Sequence, residues 1–299
     1  MASLPPPSRK ALAHRGSASG QAIFASLARA GSALLALATA ATLGLLVLAV
    51  LRGPEVLPGL ASLRYNPGTG ELGLGGLALS TSASLLLGGL LATPLALFGA
   101  LWLAELAPPS VQRPLLALLD GAVAVPSVVV GLWVAVVGGA ALERLAGPGG
   151  SGLLSAALVV AAMSAPTIAR VAYAVFTAVP DALREGAIAL GATRWEAVRV
   201  AVLPVATRGL VGAVVLGLAR ALGETIAISM VVGGRPSAAP TLRGASGTLG
   251  SVLVDEYLDA FRASHLATLS AAALVLLALG AATHLGSRAL VRGLTRRPA

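Results

Sequence analysis

Residues 180–204 read PDALREGAIALGATRWEAVRVAVLP, a polar stretch set between long apolar runs. Asp181 is placed to accept the first free backbone N–H groups of a helix reaching about Leu190. Gly191 suits the left-handed position at which many helices end. Thr193 and Glu196 have capping-box spacing, so a second helix starts there. It carries Trp195, Val198 and Val202 on one face, and Pro204 removes a donor from its ladder and is expected to stop it. The local reading is helix, glycine break, helix, stop. A membrane protein can place so polar a segment only outside the hydrocarbon layer.

The composition requires such a protein. Hydrophobic residues make up 57% of the 299 and charged residues 11%, too few charges to cover a soluble surface of this size. Cysteine is absent, which removes disulfides and thiolate metal sites. The three histidines, His14, His265 and His284, form no HExxH pair, so no metal or other cofactor is expected. Lys10 is the single lysine and no glycine-rich loop precedes it, which excludes a phosphate-binding loop. If ATP drives this protein, another subunit hydrolyses it.

Outward from the polar segment, apolar runs of roughly 20 residues or more mark candidate membrane crossings. Residues 1–30 read as a basic tail and 31–51 as a first crossing, with a cleaved signal peptide as the rival reading. Residues 52–72 form a Gly/Pro-punctuated external loop. Gly73, Gly75 and Ala78 match a dinucleotide fingerprint by accident, because no strand is expected before them. Further crossings are expected at about 77–103, 115–140, 153–179, 209–232 and 266–285, the whole membrane domain spanning 73–292. Residues 293–299 are a second basic tail. Asp120, near the start of the 115–140 run, reads as a structural residue near the interface, with a buried functional acid as the rival reading.

Six crossings put both termini on one side. Thirteen basic residues fall on that side, including Arg184, Arg194, Arg199 and Arg208, and six on the other. The excess assigns the termini and the 180–204 segment to the cytoplasm of a bacterial inner membrane. Topology thus accounts for the net charge of +9 without a nucleic-acid partner.

Charges inside the crossings are costly and mark function or compensation. Arg220 and Glu224 are one helical turn apart and are expected to share a face and neutralise each other. Ala213, Gly217 and Ala221 form a small-residue seam beside them. Counted from Gly209 and Pro180, Arg220 and Arg170 both lie about 15 Å above the cytoplasmic end if the helices are continuous. Two arginines at that depth suit an oxyanion. The bland reading is an internal Arg220–Glu224 clamp, and Pro166 leaves the place of Arg170 open.

Glu185, Gly186, Ala187, Gly191, Leu203 and Pro204 lie on the E-A-A-x3-G-x9-I-x-L-P register of ABC importer permeases, which the chain resembles. Gly186 stands at the second position and Ala201 at the usual Ile. The blocks GLARALGETIAISMVVGG (217–234), ELAPPSVQRPLLALLDGAVAVPSVVVGLW (105–133) and TLGSVLVDEYLDA (248–260) with His265 are similar to the PstC-type permease subunits of bacterial phosphate importers. Val130 replaces the usual tyrosine. The resemblance covers roughly residues 70–295.

It implies an all-α polytopic protein of six transmembrane helices, the type I ABC importer permease fold with a cytoplasmic coupling helix. It further implies a second, PstA-like permease, two PstB-like ATPase subunits and an external PstS-like phosphate-binding protein, all acting within membrane lipid. The permease itself would be no enzyme, and would move phosphate by alternating access. A permease for molybdate, tungstate or sulfate, or a membrane sensor of the same fold, are the competing readings.

Overall fold

The computed structural model describes residues 34, 37–52, 61–146, 152–234 and 246–295. The expected tail at 1–30 lies outside them, as do residues 53–60 of the external loop and residues 296–299 of the tail expected at 293–299, whose residues 293–295 instead belong to the last helix. The described residues form two compact units, one ending at Leu48 and the other beginning at Ala49. The first contains most of helix α1, Leu37–Leu51. As described, α1 is shorter than a crossing requires, and the remainder of the 31–51 run is outside the described residues.

Within the second unit, five described helices are long and apolar enough to cross a membrane: Gly75–Glu105, Ser127–Arg144, Leu153–Thr177, Arg194–Leu222 and Ala263–Gly286. A hairpin of β1 (Tyr65–Asn66) and β2 (Glu71–Leu72) precedes α2 (Gly75–Glu105), with Tyr65 opposite Leu72. A strand therefore does precede Gly73, contrary to expectation. It is an antiparallel hairpin strand, and the two glycine N–H groups bond back to Arg64 O at 2.9 Å and Ser62 O at 3.0 Å. The motif closes a turn against the membrane helix and has no parallel sheet behind it for a nucleotide.

The expected 115–140 crossing is two helices. α3 (Pro109–Ala124) ends before Pro126, where Val125 has φ −60° and ψ 130°. A residue before proline is pushed out of the helical region by the pyrrolidine ring. Helix α4 (Ser127–Trp133), a π-turn at Val134–Gly138 and α5 (Gly139–Ala146) follow, so the crossing shifts to Ser127–Arg144. No residue of α3 is buried within the chain.

α6 (Leu153–Thr177) runs unbroken past Pro166 and packs along α2. α7 (Asp181–Ala189) and α8 (Arg194–Ala197) make the two halves of the polar segment. The stop expected at Pro204 does not occur. The chain goes through a π-turn at Val198–Val202 directly into α9 (Leu203–Leu222). Pro204 has no N–H to give, and the wider π-turn just before it takes up the missing i to i−4 bond. The fifth crossing thus begins at Arg194, and it ends at Leu222 rather than 232. After Gly223–Thr225 the short α10 (Ile226–Val232) turns away, and α11 (Leu249–Glu256) and α12 (Ala263–Thr295) complete the unit.

Buried clusters tie these helices together. Ala100, Leu101, Phe176, Val198, Val202 and Ala206 join α2, α6 and the start of the fifth crossing. Val134, Val159, Val160, Ile228 and Val231 join the π-turn after α4 to α6 and α10. Tyr65, Leu74, Leu77, Leu249 and Leu269 close the hairpin end. Leucines 86, 90 and 95 stand more than two-thirds exposed on α2, an apolar exterior suited to lipid or a neighbouring subunit.

Candidate functional site

The polar segment folds largely as its sequence dictates. Gly191 has φ +93°, and its N–H bonds Ile188 O at 2.9 Å. The Thr193–Glu196 capping box is complete: Thr193 N–H donates to Glu196 Oε2 at 2.8 Å, and Glu196 N–H donates to Thr193 Oγ1 at 3.3 Å. Val198 and Val202 are buried, whereas Trp195 remains half exposed. Glu185, Gly186 and Gly191 face outward, Ala187 and Leu203 are partly covered and Pro204 is exposed. The apolar Ile188 and Leu190 are also exposed, Leu190 by 91%.

Asp181 does not cap α7. It lies at the first helical position, and its carboxylate accepts a hydrogen bond from Arg184 Nη1 at 2.9 Å. Arg184 is the residue that the sequence reading undervalued, having entered only as a topological charge. Its Nη2 donates to Glu105 Oε1 and to Phe176 O, both at 2.7 Å, and its Nη1 also reaches Val179 O at 2.6 Å. Glu105 ends α2, and Phe176 and Val179 lie at the end of α6, so one guanidinium joins α7 to the two longest-packed crossings. The Glu105 hydrogen bond raises the Arg184 pKa above its ordinary value. Only contacts between residues 79 apart in sequence could have shown this.

A substitution separates conformation from crowding at the glycine. A Cβ on Gly191 meets nothing within 4 Å, so Gly191→Val is strained by its φ alone, at about 1–3 kcal/mol. If ATPase subunits dock on this segment, their retention in pull-downs should weaken, with membrane insertion unchanged. At Gly186, also open but helical, Gly186→Ala is expected to stabilise α7 by about 0.5–1 kcal/mol. Thermal unfolding of the purified complex, with uptake preserved, checks it.

The second group of residues lies where α3, α4, α6, α9 and α10 meet. Arg220 and Glu224 do not pair. Gly223 caps α9 between them, so the one-turn spacing that would align them is lost. Arg220 Nη2 instead donates to Val123 O at 2.9 Å, and Glu224 Oε1 accepts from Ala227 N–H at 3.3 Å, at the start of α10. Arg170 is held by Asp120, with Nε 2.6 Å from Oδ1, and its guanidinium lies 5.9 Å from the Tyr173 ring centroid. Asp120 and Val123 are three residues apart on α3, so the two arginines, from different helices, both reach its last turn. Helix is continuous from Gly209 to Arg220 and around Arg170, but the fifth crossing begins at Arg194 and ends at Leu222, so Arg220 lies near its far end and a depth counted from Gly209 does not hold.

The small-residue seam is buried at Ala213, Gly217 and Ala221. A side chain on Gly217 would collide with Ile168 of α6, so glycine permits the approach. Gly131 plays the same part for α4, where a Cβ would lie 2.8 Å from Ala227 Cα of α10. The 105–133 and 217–234 blocks, distant in sequence, thus form one structure around the arginines.

At the hairpin end, the buried Tyr65 hydroxyl donates to Glu256 Oε2 at 2.5 Å, and His265 Nε2 lies 2.8 Å from the same oxygen. Burial and Glu256 hold the Tyr65 phenol well above its usual pKa, as a neutral donor. Beside this triad is a polar cavity of about 700 Å³ lined in part by Arg262, Asp259 and His265. No group of three or more metal-ligating side chains occurs among the described residues.

Residues 92–296 match the family described as binding-protein-dependent transport system inner membrane component. "Phosphate transport system permease protein PstC 1" of Mycobacterium tuberculosis is 37% identical over 242 residues, covering 73% of this chain and 71% of the relative. The PstC of Haemophilus influenzae is 37% identical over 190 residues, 57% of this chain and 60% of the relative. The inward-facing MetNI methionine ABC transporter superposes with a TM-score of 0.59 at 22% identity, covering 73% of this chain and 94% of that one. A bacterial alginate ABC transporter gives 0.55 at 16% identity, covering 75% and 80%. These two likenesses establish the type I ABC importer permease fold. With the family match extending from α2 through α12, the chain belongs to the binding-protein-dependent transport system inner membrane component family.

Proposed function

We propose that this chain is one permease subunit of an ATP-driven importer that moves inorganic phosphate inward by alternating access. The observation that carries the reading is the 37% identity to a phosphate permease over most of both chains. Two arginines reaching the last turn of α3 support it. A guanidinium presents a planar fork that matches two oxygens of an oxyanion. Arg170, Arg220 and Glu224 are the path residues, and the Glu224 carboxylate accepts a hydrogen bond from the O–H that phosphate retains at neutral pH. A fully ionised sulfate offers no such hydrogen and meets only repulsion there.

The chain performs no bond chemistry itself; separate ATPase subunits do. Glu185, Gly186, Ala187, Gly191, Leu203 and Pro204 form the coupling segment on which they dock, with exposed Ile188 and Leu190 as apolar contacts. A second similar permease completes the pathway, and an external binding protein delivers the anion. Both termini are cytoplasmic.

Uptake of labelled phosphate, sulfate and molybdate into vesicles carrying the whole reconstituted complex tests the substrate. We expect ATP-dependent phosphate uptake well above that of the other anions, and preference for molybdate or sulfate would overturn the assignment. A tag placed after Pro298 should resist external protease in intact spheroplasts. Its cleavage there would reverse the orientation.

A further inference from the structure

We propose that Asp120 is an internal stand-in for the transported anion. It holds Arg170 in the empty permease, yields it to the incoming oxyanion, and recaptures it when the anion leaves. This rests on the phosphate-permease reading above.

The geometry separates this pair from a structural clamp. The Arg170 and Asp120 side chains are 39% and 55% exposed, whereas those of Arg184 and Glu105 are 18% and 8% exposed. An ion pair left this uncovered by its own chain is given up at lower cost than one buried within it. Its contact is also single: Nε alone meets Asp120 Oδ1, so the two terminal nitrogens of the guanidinium are not used by the carboxylate. A tetrahedral oxyanion can engage the guanidinium with two oxygens, which a single Nε contact does not match.

The second arginine is parked in a similar way. Arg220 Nη2 rests on Val123 O, a carbonyl in the last turn of a helix that Pro126 forbids to continue, and such carbonyls lack a helical partner. α3 therefore offers a carboxylate and a neutral carbonyl on one turn to two guanidiniums. Both acceptors are weaker partners for an arginine than a bidentate oxyanion. Asp120 is a positioning residue in this scheme. It sets how tightly the empty site holds anions, and its return to Arg170 favours release.

The test uses the complete permease–ATPase complex in nanodiscs, without binding protein, titrated with inorganic phosphate by calorimetry. Asp120→Asn removes the competing charge and is expected to tighten phosphate binding about two- to fivefold, the range of an exposed ion pair. Maximal uptake in reconstituted vesicles should fall, because release slows. Asp120→Glu should restore the wild-type values of both. In an Arg170→Gln background, Asp120→Asn should have no effect on binding.

Unchanged or weaker phosphate binding by an assembled Asp120→Asn complex would overturn the proposal, as would failure of that variant to assemble when Asp120→Glu does. Either result leaves the phosphate reading intact if the wild type binds and transports phosphate. A wild-type complex that does neither overturns both.

Discussion

Replacing Arg184 by alanine is expected to reduce uptake at least tenfold in a complex that still hydrolyses ATP. The substitution leaves Glu105, only 8% exposed, without its cation. Removing one partner of a buried pair costs about 3–5 kcal/mol. It also strips the carbonyls of Phe176 and Val179 of a donor. The joint between the segment that ATPases would push and the ends of α2 and α6 is then loose. Arg184→Lys is not expected to rescue it, because an ammonium cannot span the fork that reaches Glu105, Asp181 and two carbonyls together. The measurement is ATP hydrolysis and phosphate uptake on the same vesicles. Proportionate loss of both, with the ATPases no longer retained, would place the defect in docking. Normal uptake by Arg184→Ala would remove Arg184 from the coupling route.

Arg220→Gln is expected to abolish uptake in a complex that assembles normally. Glutamine removes the charge and the fork, and its side chain is two bonds shorter than the Nη2 that donates to Val123 O. Arg220 has no carboxylate partner among the described ion pairs. Its loss therefore strands no paired acid, and assembly is measured beside uptake. Glu224→Gln keeps an acceptor for Ala227 N–H and is expected to reduce uptake less. With the binding protein bypassed, it should also loosen the rejection of sulfate. Phosphate transport at the normal rate by Arg220→Gln would overturn the site.

Much of this molecule is a local matter and was legible residue by residue. The absence of charge over long runs requires a membrane. Asp181 to Leu190, Gly191 and Thr193–Glu196 set a helix, a left-handed break and a capping box, each fixed by the backbone chemistry of a few adjacent residues. The small residues at 213, 217 and 221 announced a close helix contact, and α6 fills it.

What failed in the sequence reading concerned how breaks are compensated and where long side chains go. Proline ended α3 at Pro126 but neither the fifth crossing at Pro204, where a π-turn precedes it, nor α6 at Pro166. Arg220 and Glu224 had the spacing of a pair, yet the helix ends between them. An arginine side chain reaches several ångströms, so its partner is chosen by whichever helix packs alongside. Asp120 for Arg170, Val123 for Arg220 and Glu105 for Arg184 stand 50, 97 and 79 residues away. The sequence by itself determined the membrane class, the helix–break–helix form of the polar segment at 180–204 and the charges set among the apolar runs. Tertiary structure alone decided which acceptor each arginine holds, because that depends on helix packing between residues with no local relation.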